Sequence, residues 1–229
     1  RYALPVLTQT AREGKPFFAA LLSVSNHPPY VIPEDFEAHS GTDEQRIVEF
    51  ADHSLKEFID SARREEWFDN TIFVFVGDHG KIVGTPRSDM PLCFNHVPLL
   101  IYSPASLKPC QIDDLGGQID IAPTLLGLLG IDYIDNGFGV DLLREKRSAI
   151  CFTSDDAIGC VNDSLFYIYK PKENQEWLLA HEKAIEKTGE VTDETARQEL
   201  REYAFSTLQT AQYLMSNDLT GKYIGYQPR

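Results

Sequence analysis

The stretch Thr71-Ile72-Phe73-Val74-Phe75-Val76-Gly77-Asp78-His79-Gly80 constrains this chain more than any other. From Ile72 to Val76 no polar residue alternates among the β-branched and aromatic side chains, which is the pattern of a strand buried on both faces in a parallel sheet. The run stops at Gly77, and Asp78 and His79 follow at once. A carboxylate and an imidazole are thereby placed at the carboxyl end of a central strand, the edge where open α/β sheets hold their ligands. Gly77 and Gly80 allow sharp turns on either side, so that both side chains could reach one cation. An Asp oxygen with a His nitrogen suits zinc or manganese better than calcium, although two ligands are too few for a closed site. The alternative is an Asp that caps the next turn and a His hydrogen-bonded to it.

With 229 residues and 42% hydrophobic content, the chain can bury a real core as one large domain or as a core with an appendage. A formal net charge of -14 and a pI near 4.8 argue against unaided binding to nucleic acid or an anionic membrane surface. No apolar run reaches the length of a membrane span. The sequence opens at Arg1 without a methionine, which suggests a piece of something longer. Cys93, Cys110, Cys151 and Cys160 show no CxxC spacing. Cys151 and Cys160 flank a turn-like segment and either pair across a hairpin or stay as buried thiols.

A helix is predicted from Tyr2 to Arg12, followed by a buried strand over Phe17 to Val24. That run ends in Ser25-Asn26-His27-Pro28-Pro29-Tyr30, where two prolines stiffen the loop that carries His27. His27 is therefore a candidate site residue, against the alternative of a solvated loop histidine. Thr42 opens a long helix with Ile47, Phe50, Ala51, Leu55, Phe58, Ile59 and Ala62 on one face. It leads into the central strand as part of a βαβ unit. Asp52 and His53, within that helix, read as a polar surface pair.

After the central strand, Lys81 to Phe94 is a loop without period, of a length that is commonly functional. It ends at His96, ahead of another buried strand over Val97 to Tyr102. His96 could swing over the site or merely cap the strand. Arg87 reads as solvated. Pro123 and Gly130 bracket a short apolar core helix, with Asp120 as its N-cap rather than a metal ligand. From Ala149 the texture changes. Ile150 to Thr153 and Leu165 to Tyr169 suggest an antiparallel hairpin, and Glu176 to Lys187 and Asp193 to Met215 suggest helices. The tail from Leu219 to Arg229 is polar and is expected to be poorly ordered.

Taken in order, Pro16-Phe17-Phe18, the Asn26-His27-Pro28 loop, Asp69-Asn70-Thr71, Gly77-Asp78-His79-Gly80, His96-Val97-Pro98-Leu99 and Asp120-Ile121-Ala122-Pro123-Thr124-Leu125 form a specific set. The set resembles the sulfatase branch of the alkaline phosphatase superfamily, and within it the lipoteichoic acid synthase-type phosphoglycerol transferases. The resemblance covers Pro5 to Leu143. It implies an α/β fold, a three-layer α/β/α sandwich of the alkaline phosphatase type, here with a C-terminal antiparallel hairpin and helices. Residues 1–147 would be the C-terminal half of a catalytic domain, and 148–229 an extension packed on it.

The resemblance further implies a metal-dependent enzyme acting on an anionic phosphate or sulfate ester. Asp78 and His79 would ligate one divalent ion, manganese or zinc first, with magnesium and calcium as the other candidates. His27 would bind substrate or transfer a proton, and His96 would join the site. In the family the nucleophile and a further acidic ligand lie upstream of the Phe17-Phe18 strand. The upstream half of the same protein would supply them, so these residues alone are expected to be inactive. The sulfatase Cys/Ser-x-Pro-x-Arg signature is absent, and Thr85-Pro86-Arg87 does not fit its spacing.

Three functions remain open on the sequence: phosphoglycerol transfer or phosphodiester hydrolysis on a cell-envelope lipid or glycan, sulfate-ester hydrolysis, and a non-catalytic binding module. No nucleic-acid partner is expected. Membrane attachment would come only through upstream segments, with the protein at the extracytoplasmic face of the bacterial membrane or in the periplasm.

Overall fold

The apolar run before Gly77 forms strand β1 (Phe73–Val76), which pairs in a two-stranded sheet with β2 (Leu99–Tyr102). The computed structural model describes residues 2–39, 41–135, 137–154, 156–182 and 184–220. Residues 221–229, most of the tail expected to be poorly ordered, lie outside them. Two units are distinguished, one of Arg1–Phe75 with Leu100–Pro109, the other of Val76–Leu99 with Cys110–Arg229.

In the first unit, helix α1 (Ala3–Ala11) and helix α2 (Asp43–Ala62) fall where the apolar spacing places them. Thr42 caps α2 in a full capping box: its hydroxyl accepts from the Gln45 N–H, and the Gln45 side chain accepts from the Thr42 N–H. Ala62, Phe68 and Phe73 form the buried centre, surrounded by Leu4, Phe58, Ile59, Trp67, Phe75 and Tyr102. The Trp67 indole donates to Thr8, tying the first helix to the turn before β1.

The burial expected for the apolar runs is only partly met. In β1, Phe73 is buried and Val76 exposed; in β2, Leu99 and Leu100 are exposed. No strand is assigned among the described residues of Phe17 to Val24, where Phe18 is 87% and Leu22 85% exposed. A run apolar on both faces becomes a buried strand only where neighbours supply a hydrogen-bond ladder and cover both sides. None of the described residues does so for Phe17 to Val24.

In the second unit, short helix α3 (Leu92–Asn95) and helix α4 (Ile121–Leu128) precede a five-stranded antiparallel sheet. Its strands run in chain order: β3 (Ile150–Ser154), β4 (Ala157–Val161), β5 (Leu165–Lys170), β6 (Gln175–Glu182) and β7 (Ile185–Glu190). Helix α5 (Glu194–Ser216) follows, capped by the Asp193 carboxylate, which accepts from the Ala196 N–H. The helix expected over Glu176 to Lys187 is instead β6 and the start of β7. Leu178 and Leu179 are both buried, one on each face, because successive strand residues point to opposite sides. Good helix formers such as Glu, Leu and Ala yield here to that two-sided burial.

The two faces have different covers. Phe166, Ile168 and Leu179 pack with Met90 from the loop after β1 and with Leu92 of α3, while Tyr167, Leu178 and Cys160 pack with Leu200 and Ala204 of α5. Gly159 makes room for this loop. A Cβ there would lie 2.9 Å from Met90 Cε and 3.0 Å from Phe166 Cε2. The loop is also held by the Leu92 N–H donating to the Glu186 carboxylate and by the Lys170 ammonium paired with Asp89.

Candidate functional site

Asp78 and His79 leave the end of β1 into solvent, with side chains 80% and 53% exposed. The His79 N–H donates to Asp78 Oδ1 at 3.0 Å, and His79 Nε2 lies 3.9 Å from Asp78 Oδ2. His79 Nδ1 faces the Gly80 carbonyl at 2.7 Å. A carbonyl can only accept, so Nδ1 carries a hydrogen, and Nε2 is the ring nitrogen that faces the carboxylate side. The imidazole stacks on Phe94, with ring centroids 4.6 Å apart and planes 23° apart.

The backbone beneath the pair is clamped. The Gln118 amide donates to the Gly77 carbonyl at 2.6 Å and to the Asp78 carbonyl at 3.2 Å. The Gly80 N–H donates to the Phe94 carbonyl at 2.7 Å. Neither Gly77 nor Gly80 has a positive φ. The turning role expected for them gives way to close approach: a Cβ on Gly80 would lie 2.3 Å from the Cys93 oxygen and 2.9 Å from the His96 oxygen.

His96 is exposed at the end of α3, in extended backbone, and its carbonyl abuts Gly80. His27 lies in the first unit, exposed, with Nδ1 2.7 Å from the Pro28 carbonyl, to which it donates. The structure thus joins Asp78 with His79 through side chains and His96 with Gly80 through backbone.

Asp120 occupies the N-cap position of α4, but its carboxylate does not cap that helix. It is fully buried and gripped by Arg147, with Nε at 2.7 and 2.8 Å from the two carboxylate oxygens and Nη2 at 2.6 Å. It also accepts from the N–H groups of Gly117 and Val140. Burial opposes the charge of Arg147, yet the Asp120 carboxylate outweighs it and holds the guanidinium above its ordinary pKa. The cap expectation fails because a charge-assisted, bidentate pair is stronger than one cap bond. Gln118, Phe94 and Arg147 are absent from the sequence-predicted set. Gln118 sits two residues before Asp120, but no local signal marks Phe94 or Arg147.

Among the described residues, no group of three or more His, Cys, Asp or Glu side chains is arranged to hold a metal ion. The pair present does fit as part of one. A separation of 3.9 Å can be bridged by an ion with bonds of about 2.0–2.2 Å. The Nδ1 bond to Gly80 is the kind of support that fixes a ligating imidazole.

The family model described as Sulfatase matches residues 1–131. The chain belongs to the Sulfatase family. The lipoteichoic acid synthase-like YvgJ of Bacillus subtilis is 29% identical to this family member, over 93% of this chain and 37% of its own length. Lipoteichoic acid synthase 2 of the same organism is 28% identical, over 63% of this chain and 26% of its own. The chain thus spans about a third or less of these two curated relatives.

A solved protein in the alkaline phosphatase superfamily from Vibrio parahaemolyticus superposes with a TM-score of 0.78 at 26% identity, over 93% of this chain and 53% of that one. A solved 2-O GAG sulfatase shares the fold, with a TM-score of 0.55 at 16% identity over 81% of this chain and 45% of that one. The α/β architecture of the alkaline phosphatase superfamily, with its C-terminal antiparallel strands, is that of this sulfatase-family chain. Similarity also runs past Leu143, where the motif-based resemblance ended.

Proposed function

We propose that this chain is the metal-carrying part of a catalytic domain that transfers or hydrolyses a phosphate ester, with phosphoglycerol transfer to or from a cell-envelope lipid or glycan as its reaction. The carrying observation is the Asp78–His79 pair at the end of β1, with His79 Nδ1 tied to Gly80 and Nε2 left to ligate. Membership of the Sulfatase family and similarity to lipoteichoic acid synthases support the reaction class. Residues 1–147 belong in this reading to the catalytic domain, and 148–229 pack on it.

Asp78 and His79 would hold one divalent ion, manganese or zinc before magnesium or calcium. Such an ion, when bound, offsets ester charge and stabilises the oxygens of an in-line displacement. The chain's own residues hold and orient. Asp78 supplies negative charge, Phe94 and Gly80 set the imidazole plane, and Gln118 fixes the backbone that carries both donors. His27, its Nδ1 tied to the Pro28 carbonyl, binds substrate or transfers a proton through Nε2. His96 joins the substrate side. The nucleophile and the remaining ligands come from another part of the same protein, so the residues described here are inactive alone.

The proposed location is the extracytoplasmic face of the membrane. Attachment to it is proposed to come through upstream segments; no helix among the described residues is long and apolar enough to cross a membrane.

The test uses the complete natural protein, wild type beside Asp78→Ala, with metal content measured and chromogenic phosphodiester and sulfate-ester substrates supplied. Loss of both bound metal and phosphodiester turnover in the variant is expected. Preference for the sulfate ester would replace the substrate class. A wild-type protein with neither stoichiometric metal nor turnover would overturn the enzyme reading in favour of a binding module.

A further inference from the structure

Strands β3 and β4 pair in a register that sets Cys151 directly opposite Cys160. Directly opposed residues of an antiparallel pair project to the same face, with Cα atoms about 4.5–5.5 Å apart. That lies inside the roughly 4.4–6.8 Å window over which a disulfide closes. Both are thiols in this structure, and their sulfurs lie 2.9 Å apart, closer than unbonded sulfurs ordinarily rest. Cys160 is fully buried in the cluster that Leu200 and Ala204 of α5 cover, and Cys151 packs half-buried at its margin.

We propose that Cys151 and Cys160 form a reversible disulfide that clips β3 to β4 beneath α5. The inference stands apart from the ester chemistry, since it uses only register, distance and burial.

The oxidant is a small disulfide or a disulfide of a thiol oxidoreductase. The Cys151 thiolate attacks one of its sulfurs, forming a mixed disulfide and expelling one thiolate. The Cys160 thiol gives its proton to that thiolate or to solvent, attacks the Cys151 sulfur and expels the second. Two cysteine thiols are oxidised and one external disulfide is reduced to two thiols. The order follows from the surroundings. The hydrogen bond shared with Cys160, aided by Thr207 and Arg147, holds Cys151 below its ordinary pKa against the effect of burial. The same shared bond, with burial, pushes Cys160 up. Cys151 attacks first, and Cys160 resolves.

The complete protein would be equilibrated in reduced-to-oxidised glutathione mixtures, its remaining thiols alkylated, and its peptides mapped by mass. At high oxidised glutathione, Cys151 and Cys160 should resist alkylation, and the tryptic peptide holding both should be lighter by two hydrogens. Cleavage at Asp156 should leave its halves joined until reduced. The double variant Cys93→Ser/Cys110→Ser should behave identically and keeps the buried pair intact. The oxidised form should melt about 5 °C or more above the reduced form, a gain that Cys151→Ala abolishes. Alkylation of all four cysteines at every ratio, a cross-link that maps to Cys93 or Cys110, or an oxidised form that melts no higher would each overturn the clip.

Discussion

His79 lies flat on Phe94, and the same Phe94 offers its backbone carbonyl to the N–H of Gly80, so one residue holds both the ring and the chain of the strand-end pair. The imidazole is constrained in plane by stacking and in rotation by the Gly80 carbonyl.

Phe94→Ala removes the stacking partner and keeps the backbone bond. On the proposed metal-binding role of Asp78 and His79, affinity of the complete protein for a divalent ion should fall about tenfold, the scale of losing an outer support of a ligating histidine. Isothermal titration with the metal reads this. Phe94→Tyr should restore it.

Gly80→Ala places a methyl group against the Cys93 and His96 carbonyls, which are backbone and cannot rotate away. Overpacking should cost about 1–3 kcal/mol, and the shift should displace His79 enough to lower metal uptake. Gly84→Ala is the contrast. Its cost comes from a φ of +72° with open space around it, about 1–2 kcal/mol, and metal uptake should be unchanged. Denaturant melts and metal content separate the two.

Arg147→Ala leaves the Asp120 carboxylate buried without its cation. A loss of about 3–5 kcal/mol is expected, with fraying of the 137–147 segment in hydrogen exchange. Arg147→Lys should recover only part, because an ammonium cannot repeat the fork. Replacing both partners with apolar residues should cost less than Arg147→Ala alone, which a double-mutant cycle measures.

Met90→Ala opens a cavity against Gly159 and Phe166, and a loss of about 2–5 kcal/mol is expected. Limited proteolysis should cut the 81–91 loop faster than in the wild type, while α2, centred in the other unit, keeps its protection.

Local chemistry announced the parts with local causes. Thr42 with Gln45, and Asp193 before a long amphipathic pattern, fix α2 and α5 close to where the sequence places them. The Gly-Asp-His-Gly turn stands out because charge follows an apolar run so abruptly. What escaped was set at long range. Leu178 and Leu179 are buried on opposite faces by cores from distant segments, which erases the alternation that marks a half-buried strand. Asp120 finds Arg147 across 27 residues. Phe17 to Val24 carries an unmistakable strand pattern, yet its ladder and its cover are properties of neighbours.

Met90 and Leu92, seated in the core of the five-stranded sheet, make the loop after β1 a tenant of the C-terminal half rather than of the strand it follows. On the proposed function, inactivating substitutions should therefore also appear away from Asp78 and His79, at Gly159, Phe166 or Glu186. Such a map, read naively, would suggest a second active centre where there is only a foundation.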